Sequence, residues 1–131
     1  MTIKETFALA FQNHKKNNLD IAEKFYNQVL KENPNHFSSI FYLASLSAQK
    51  KNLNKSKELF EKAIQIQPNF APAHNNLGGI LIQLGDYHGA LMTYQKAIAI
   101  DSNLINAKNN LAVLLRSNHF RRNIHVEGKS A

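Results

Sequence analysis

The stretch from residue 71 to residue 102 reads APAHNNLGGILIQLGDYHGALMTYQKAIAIDS and contains two apolar stripes. The stripes consist of Leu77, Leu81 and Leu84, and of Ala90, Tyr94 and Ala97. Within each stripe the residues recur three or four positions apart, as they do along one face of a helix. Between the stripes, Gly85-Asp86 combines a residue that ends helices with one that starts them. The stretch therefore predicts a helix, a tight turn and a second helix.

The same pattern recurs along the chain with a period of 34 residues. Leucine occupies the same place four times, at Leu9, Leu43, Leu77 and Leu111. Small residues recur at two places, at Ala10, Ala44, Gly78 and Ala112, and at Ala22, Ser56 and Ala90. An aromatic residue recurs at Tyr26, Phe60 and Tyr94. Small residues allow two helices to approach closely, and a single helix pair cannot bury its apolar stripe, so stacked units are expected.

Turn signals divide the chain into seven predicted helices. Asn17-Asn18 and Lys51-Asn52 stand where Gly85-Asp86 stands in the third unit, and Pro34 and Pro68 follow the second helices of the first two units. Proline prevents a helix from continuing. We therefore predict helices near residues 4–16, 20–32, 37–50, 54–66, 71–84, 87–99 and 105–117.

This pattern resembles the tetratricopeptide repeat, whose period is also 34 residues. The third unit matches best, although the tryptophan frequent in the family is replaced in the four units by Thr6, Ile40, His74 and Lys108. The resemblance implies an all-α, right-handed superhelical solenoid of antiparallel helix pairs. Its parts would be units at 3–36, 37–70 and 71–104, a capping helix at 105–117 and an irregular tail at 118–131.

Composition narrows the possible functions of these 131 residues. The chain has no cysteine, so disulfides, cysteine nucleophiles and thiolate metal sites are excluded. The first residues show no signal-peptide pattern, and the longest uncharged run, 63–85, is too polar for a membrane span. We expect a cytoplasmic protein that does not bind membranes. Its formal charge of +7 could steer an acidic partner.

The resemblance also implies a function, namely binding of a protein or peptide in a concave groove lined by the first helix of each unit. Helical spacing then selects a wider set of groove positions that includes Phe11, Lys15 and Gln49. The predicted binding residues are Phe7, Phe41, Tyr42, Ser45, Asn75, Asn76, Gly79, Gln83, Asn109, Asn110 and Arg116. Aromatic residues dominate the N-terminal end of this groove, and amides dominate its C-terminal end.

Two alternatives stay open for these side chains. An asparagine amide both donates and accepts, so Asn76 and Asn110 could clamp a peptide backbone, as similar asparagine rows do in O-GlcNAc transferases. Asparagine is nevertheless common in this chain and ordinary at this place in the family. For the aromatics, we favour packing for Phe11 and the groove for Phe7 and Phe41. Similarly, the uncharged helix 71–84 indicates either a ligand-binding face or a central, buried helix.

Some members of the family grip a C-terminal carboxylate with lysine, asparagine and arginine at fixed groove positions. Here those positions hold Phe7, Phe11, Tyr42, Pro72 and Asn76, and a register shifted by one unit also lacks the required cations. The sequence therefore argues against a carboxylate clamp.

Catalytic and metal-binding patterns are not recognisable in the sequence. The six histidines show no pair with metal-ligand spacing on one helix face, and His74 occupies a packing position. We expect no enzyme activity, no metal and no cofactor. Two other functions remain as alternatives: a regulatory or substrate-recruiting segment of a larger enzyme such as a glycosyltransferase, and a basic nucleic-acid-binding protein.

The C-terminal end should leave apolar surface exposed. Leu111, Leu114 and Leu115 would meet the second helix of a fourth unit, but residues 118–131 show no apolar periodicity. The tail could fold over this surface, two copies could pair there, or the chain could be part of a longer protein. Of these, we expect self-association through the C-terminal end.

Overall fold

A computed structural model describes residues 1–117, and every regular element in this range is an α-helix. The seven helices are α1 (Ile3–Lys15), α2 (Leu19–Glu32), α3 (Phe37–Gln49), α4 (Leu53–Ile66), α5 (Ala71–Gln83), α6 (Tyr87–Ile100) and α7 (Ile105–Leu115). All seven predicted helices are confirmed, with ends that differ by at most two residues. The expected irregular tail, 118–131, lies outside the described residues.

The helix boundaries follow from the turn chemistry. Thr2 and Glu5 form a capping box at the start of α1, and the Asp86 side chain accepts from the Gly89 N–H at the start of α6. Asn17, Lys51 and Gly85, each 34 residues apart, have φ values of 64°, 64° and 85°. This left-handed conformation favours glycine and is tolerated at a cost by other residues. The same tight turn therefore closes the first helix of each unit.

Helix packing produces an all-α helical-repeat solenoid. Each helix packs against the next one in the chain, and the first helices α1, α3, α5 and α7 also contact one another in order. Within the described chain, the outer helices α2, α4 and α6 make no such contacts with one another. The stack therefore bends so that the first helices line its inner face. The unit boundaries themselves stay a prediction.

The core consists of the residues that recur in the sequence. The aromatic set, Tyr26, Phe60 and Tyr94, is buried between neighbouring helices. Small residues admit these rings, since a Cβ atom added at Gly78 would lie 2.5 Å from the Tyr94 ring. Ser56 is fully buried, and its hydroxyl donates to the Ala44 carbonyl at 2.8 Å. Within residues 1–117, no helix is long and apolar enough to cross a bilayer.

Helix α7 ends the described solenoid and is poorly covered. Only Ala107 and Leu114 of this helix are buried. Ile105, Val113 and Leu115 are 67%, 62% and 40% exposed. In the described part of the chain, α7 therefore exposes apolar surface, but of the three leucines named in the prediction only Leu115 is exposed, because Leu111 and Leu114 pack against the core. Self-association through this end stays a prediction.

Candidate binding groove

Two adjoining pockets form a groove along the inner face of the solenoid. The first, which we call the amide pocket, has a volume of about 270 Å³, and its polar lining consists of Ser45, Asn75, Asn76, Gln83 and Asn110. The second, the aromatic pocket, has a volume of about 530 Å³ and is lined mainly by Phe11, Lys15, Phe41, Tyr42 and Gln49. Ser45 and Asn76 line both pockets, so the two are continuous.

Eight of the eleven predicted binding residues line this groove, namely Phe41, Tyr42, Ser45, Asn75, Asn76, Gly79, Gln83 and Asn110. The other three do not line it. Phe7 is half-buried, stacks on Phe11 with ring centroids 6.0 Å apart and also contacts Tyr26 of α2 and Tyr42 of α3, so it packs α1 against both helices. Asn109 and Arg116 are exposed and line neither pocket.

The asparagine side chains differ in their hydrogen bonding. Asn110 Nδ2 donates to Asn75 Oδ1 at 3.1 Å, which joins α7 to α5 across the groove. The half-buried Asn76 amide makes no hydrogen bond to any described residue. An asparagine amide offers two donors and an acceptor. Asn76 therefore presents a complete, unused donor–acceptor pair where the two pockets meet.

Phe41 and Phe11 differ from the sequence expectation in how much of each ring the core covers. Phe41, which we placed in the groove, is only 9% exposed because Phe37 and Phe70 pack on it, with ring centroids 6.1 and 5.2 Å away. Phe41 therefore lines the aromatic pocket with only a small part of its surface. Phe11, which we assigned to packing, is half-buried and lines that pocket, and its centroid lies 4.8 Å from that of Tyr42.

His14 is a groove residue that the sequence interpretation missed. It lies in the lining of the aromatic pocket, and its Nε2 pairs with Gln49 Oε1 on α3. Because the Gln49 oxygen can only accept, Nε2 must donate, and Nδ1 accepts from the Tyr26 hydroxyl at 2.9 Å. His14 and Gln49 are 35 residues apart, as are Asn75 and Asn110. A search for polar pairs at this spacing could have found both contacts.

Charge is distributed unevenly between the inner and outer helices. Neither pocket is lined by an aspartate or a glutamate, and Lys15 is the only lysine or arginine in either lining. On the outer side, Lys50 pairs with Asp20 at 2.6 Å and with Glu23 at 3.3 Å, and Lys55 pairs with Glu23 at 3.7 Å. The hydrogen bond to Lys50 lowers the pKa of the Asp20 carboxyl, and it also raises the pKa of Lys50. The groove itself therefore favours neutral or acidic ligands.

The absence of charge from α5 has a structural explanation. Seven of its thirteen residues are buried, because α5 packs between α4 and α6 and contacts α3 and α7. His74 is 7% exposed, and its Nε2 donates to the Pro68 carbonyl at 2.8 Å, so it packs as predicted. In residues 1–117 there is no cluster of three histidine, aspartate or glutamate side chains that could hold a metal ion.

Several solved structures share this fold. A mutant O-GlcNAc transferase from Thermobaculum terrenum matches 86% of this chain with a TM-score of 0.80 and 22% identity, and the chain spans 22% of that protein's length. MamA matches 92% of this chain with a TM-score of 0.86 and 16% identity, over 71% of its own length. The first TPR of Spaghetti (RPAP3), bound to an HSP90 peptide SRMEEVD, matches 86% of this chain and 89% of its own at 16% identity and a TM-score of 0.81.

Sequence comparison locates the repeats directly. No curated protein sequence matches this chain. Family models described as tetratricopeptide repeat match residues 8–36, 38–70 and 59–92, and a model described as TPR repeat matches residues 78–118. Together these matches cover nearly all of the seven-helix solenoid. The chain therefore belongs to the tetratricopeptide repeat family.

Proposed function

We propose that this chain holds an extended segment of another polypeptide in its inner groove. Tetratricopeptide repeats serve in protein interaction and are typically not catalytic. The observation that carries the more specific proposal is the Asn76 amide, which has no partner among the described residues and lies where the two pockets meet. A ligand crossing from one pocket to the other passes this amide.

The chemistry of Asn76 suits recognition of a peptide backbone. Its oxygen can accept from a peptide N–H while its nitrogen donates to a peptide carbonyl, whatever the ligand's side chains are. The neighbouring amides of Asn75 and Asn110 already bond to each other, so part of the groove is ordered before the ligand arrives. Preorganisation of this kind lowers the entropy cost of binding.

Two comparisons bear on the ligand without specifying it. The first TPR of Spaghetti (RPAP3) holds an HSP90 peptide on the same fold. The groove described here has a single lysine in its lining, so we do not transfer that peptide to this chain. The likeness to an O-GlcNAc transferase keeps a second proposal open, in which the same groove recruits a substrate for a larger enzyme.

The test measures binding of peptides selected from a random dodecapeptide phage library on the intact chain. Labelled copies of the enriched peptides are titrated by fluorescence anisotropy against the intact chain, Asn76→Ala and Asn27→Ala. Asn27 is an exposed asparagine on α2, so its replacement is a matched control outside the groove. Loss of two hydrogen bonds should weaken binding about tenfold in Asn76→Ala and leave Asn27→Ala unchanged.

Two results would contradict the proposal. Equal affinity of the two variants would show that Asn76 is not in contact with the ligand. Absence of any enriched peptide, combined with salt-dependent binding of random oligonucleotides to all three proteins, would instead support binding of nucleic acid by the basic surface. Circular dichroism on each variant establishes that the helices are intact in every titration.

A further inference from the structure

The aromatic pocket is lined by three aromatic rings, those of Phe11, Phe41 and Tyr42. The ring centroids of Phe11 and Tyr42 are 4.8 Å apart at an interplanar angle of 61°, and those of Phe41 and Tyr42 are 5.2 Å apart at 77°. Rings that meet edge to face leave a concave angle between them. The pocket volume of about 530 Å³ lies within the range typical of ligand sites.

A lysine without a carboxylate partner lies in the same pocket. Lys15 Nζ is 4.9 Å from the centroid of the Phe11 ring, and no aspartate or glutamate among the described residues pairs with it. Lys50 and Lys55, in contrast, are both paired on the outer side. The Lys15 ammonium group therefore lies over the Phe11 ring in the lining of the pocket, where it is free to pair with a ligand.

We infer that the ligand segment carries a large apolar side chain, preferably aromatic, with an aspartate or glutamate within two residues of it. The apolar side chain would lie among Phe11, Phe41 and Tyr42, and the carboxylate would pair with Lys15. Asn76, in the lining of the same pocket, would hold the ligand backbone beside that side chain. This inference rests on the proposed function and specifies the sequence class of its ligand.

The geometry favours an acidic peptide over single-stranded nucleic acid. Nucleic acid is held by a basic groove that follows the phosphates and by open aromatic faces on which bases stack. Here one lysine lines the two pockets, so no row of cations could follow a phosphate backbone. A single cation suits one carboxylate, and the absence of acidic groups from the lining removes any repulsion of that carboxylate.

The test selects the random dodecapeptide library separately on the intact chain, Lys15→Glu and Lys24→Glu. Lys24 is an exposed lysine on α2, so its replacement changes the net charge equally without touching the groove. We expect the intact chain and Lys24→Glu to enrich apolar residues close to Asp or Glu, and Lys15→Glu to enrich Lys or Arg there. An enriched acidic peptide should bind Lys15→Glu about three- to tenfold more weakly, with a smaller difference at high salt.

The outcomes separate this inference from the proposed function. Peptides that need Asn76 but show no acidic preference, or bind Lys15→Glu and Lys24→Glu equally, would overturn the inference and leave groove binding in place. Peptides that are insensitive to Asn76 would overturn the proposed function. A library without enrichment, or polyuridylate that competes with the selected peptides at high salt, would overturn both.

Discussion

The two halves of the groove use one scaffold for different chemistry. The N-terminal half, between α1 and α3, is lined by aromatic rings and Lys15, whereas the C-terminal half, between α5 and α7, is lined by amides and glycine. The recurring core residues are of the same classes in both halves. Residues that stack the helices and residues that face the groove therefore vary independently, which allows one repeat to serve different ligands.

The halves also differ in how the groove joins the core. In the N-terminal half, Phe41 belongs to a cluster of rings that extends to Phe37, Phe60 and Phe70, so groove and core are continuous. In the C-terminal half, the amide pocket meets the same core at Phe60 and Ile80, and Gly78 admits the Tyr94 ring. A substitution in the N-terminal half can therefore act on both stability and binding, and paired variants are needed to separate the two.

The largest difference in the free energy of unfolding should appear between alanine variants of two phenylalanines in the N-terminal half. Phe41→Ala removes a buried ring that contacts four others and should lower the free energy of unfolding by about 3–5 kcal/mol. Phe11→Ala removes a half-buried ring and should cost about 1 kcal/mol while weakening binding of peptides to the aromatic pocket. Urea unfolding followed by circular dichroism measures both. Equal losses would show that Phe11 belongs to the core as fully as Phe41 does.

A smaller difference in the free energy of unfolding should separate alanine variants of two adjacent glycines in α5. A methyl group at Gly78 would meet the Tyr94 ring, whereas at Gly79 the nearest atom is the Tyr94 hydroxyl oxygen at 3.8 Å. Gly78→Ala should therefore destabilise the fold by about 1–3 kcal/mol through overpacking. Gly79→Ala should stabilise it by up to about 1 kcal/mol, because alanine is the better helix former. A stabilised Gly78→Ala variant, measured by thermal unfolding, would show that the ring can move aside.

The fold could be predicted from the sequence because its determinants repeat. The 34-residue period fixes helix order, turn position and small contact residues, and the left-handed residues Asn17, Lys51 and Gly85 obey the same period. These signals are local in the sequence, so they can be recognised without the tertiary structure. Family models for this repeat accordingly match stretches all along the solenoid, at residues 8–36, 38–70, 59–92 and 78–118.

The groove could be predicted only in part, because burial at its edge depends on contacts between units. Phe41 occupies the same repeat position as Asn75, which faces the groove, but Phe70 from the turn before α5 covers Phe41. Phe11 occupies the position of Ser45 and Gly79, both correctly placed in the groove, so the period itself argued against assigning it to packing. The hydrogen bonds of His14 and Asn110 depend on side-chain reach between helices, which periodicity does not report.

The smallest difference in the free energy of unfolding should distinguish phenylalanine variants of the buried tyrosines in the first and third units. Tyr26 is fully buried, and its hydroxyl donates to His14, whose other nitrogen bonds Gln49 on α3. The Tyr94 hydroxyl makes no hydrogen bond to any described residue. Tyr26→Phe leaves His14 without its donor and should cost about 0.5–1.5 kcal/mol, whereas Tyr94→Phe should change stability by less than about 0.5 kcal/mol. Urea midpoints of the two variants measure this, and equal midpoints would show that the bond from Tyr26 contributes nothing.

Measurements of stability at alkaline pH test the burial of the same two tyrosines independently. Burial raises the pKa of the Tyr26 and Tyr94 phenols above their usual range. Above about pH 10 the unfolded chain releases these protons while the folded chain retains them, so the free energy of unfolding must fall as pH rises. Each Tyr→Phe variant removes one such group and should lose less stability than the intact chain over this pH range. A variant with the same slope as the intact chain would mean that its tyrosine ionises as readily in the folded state as in the unfolded one.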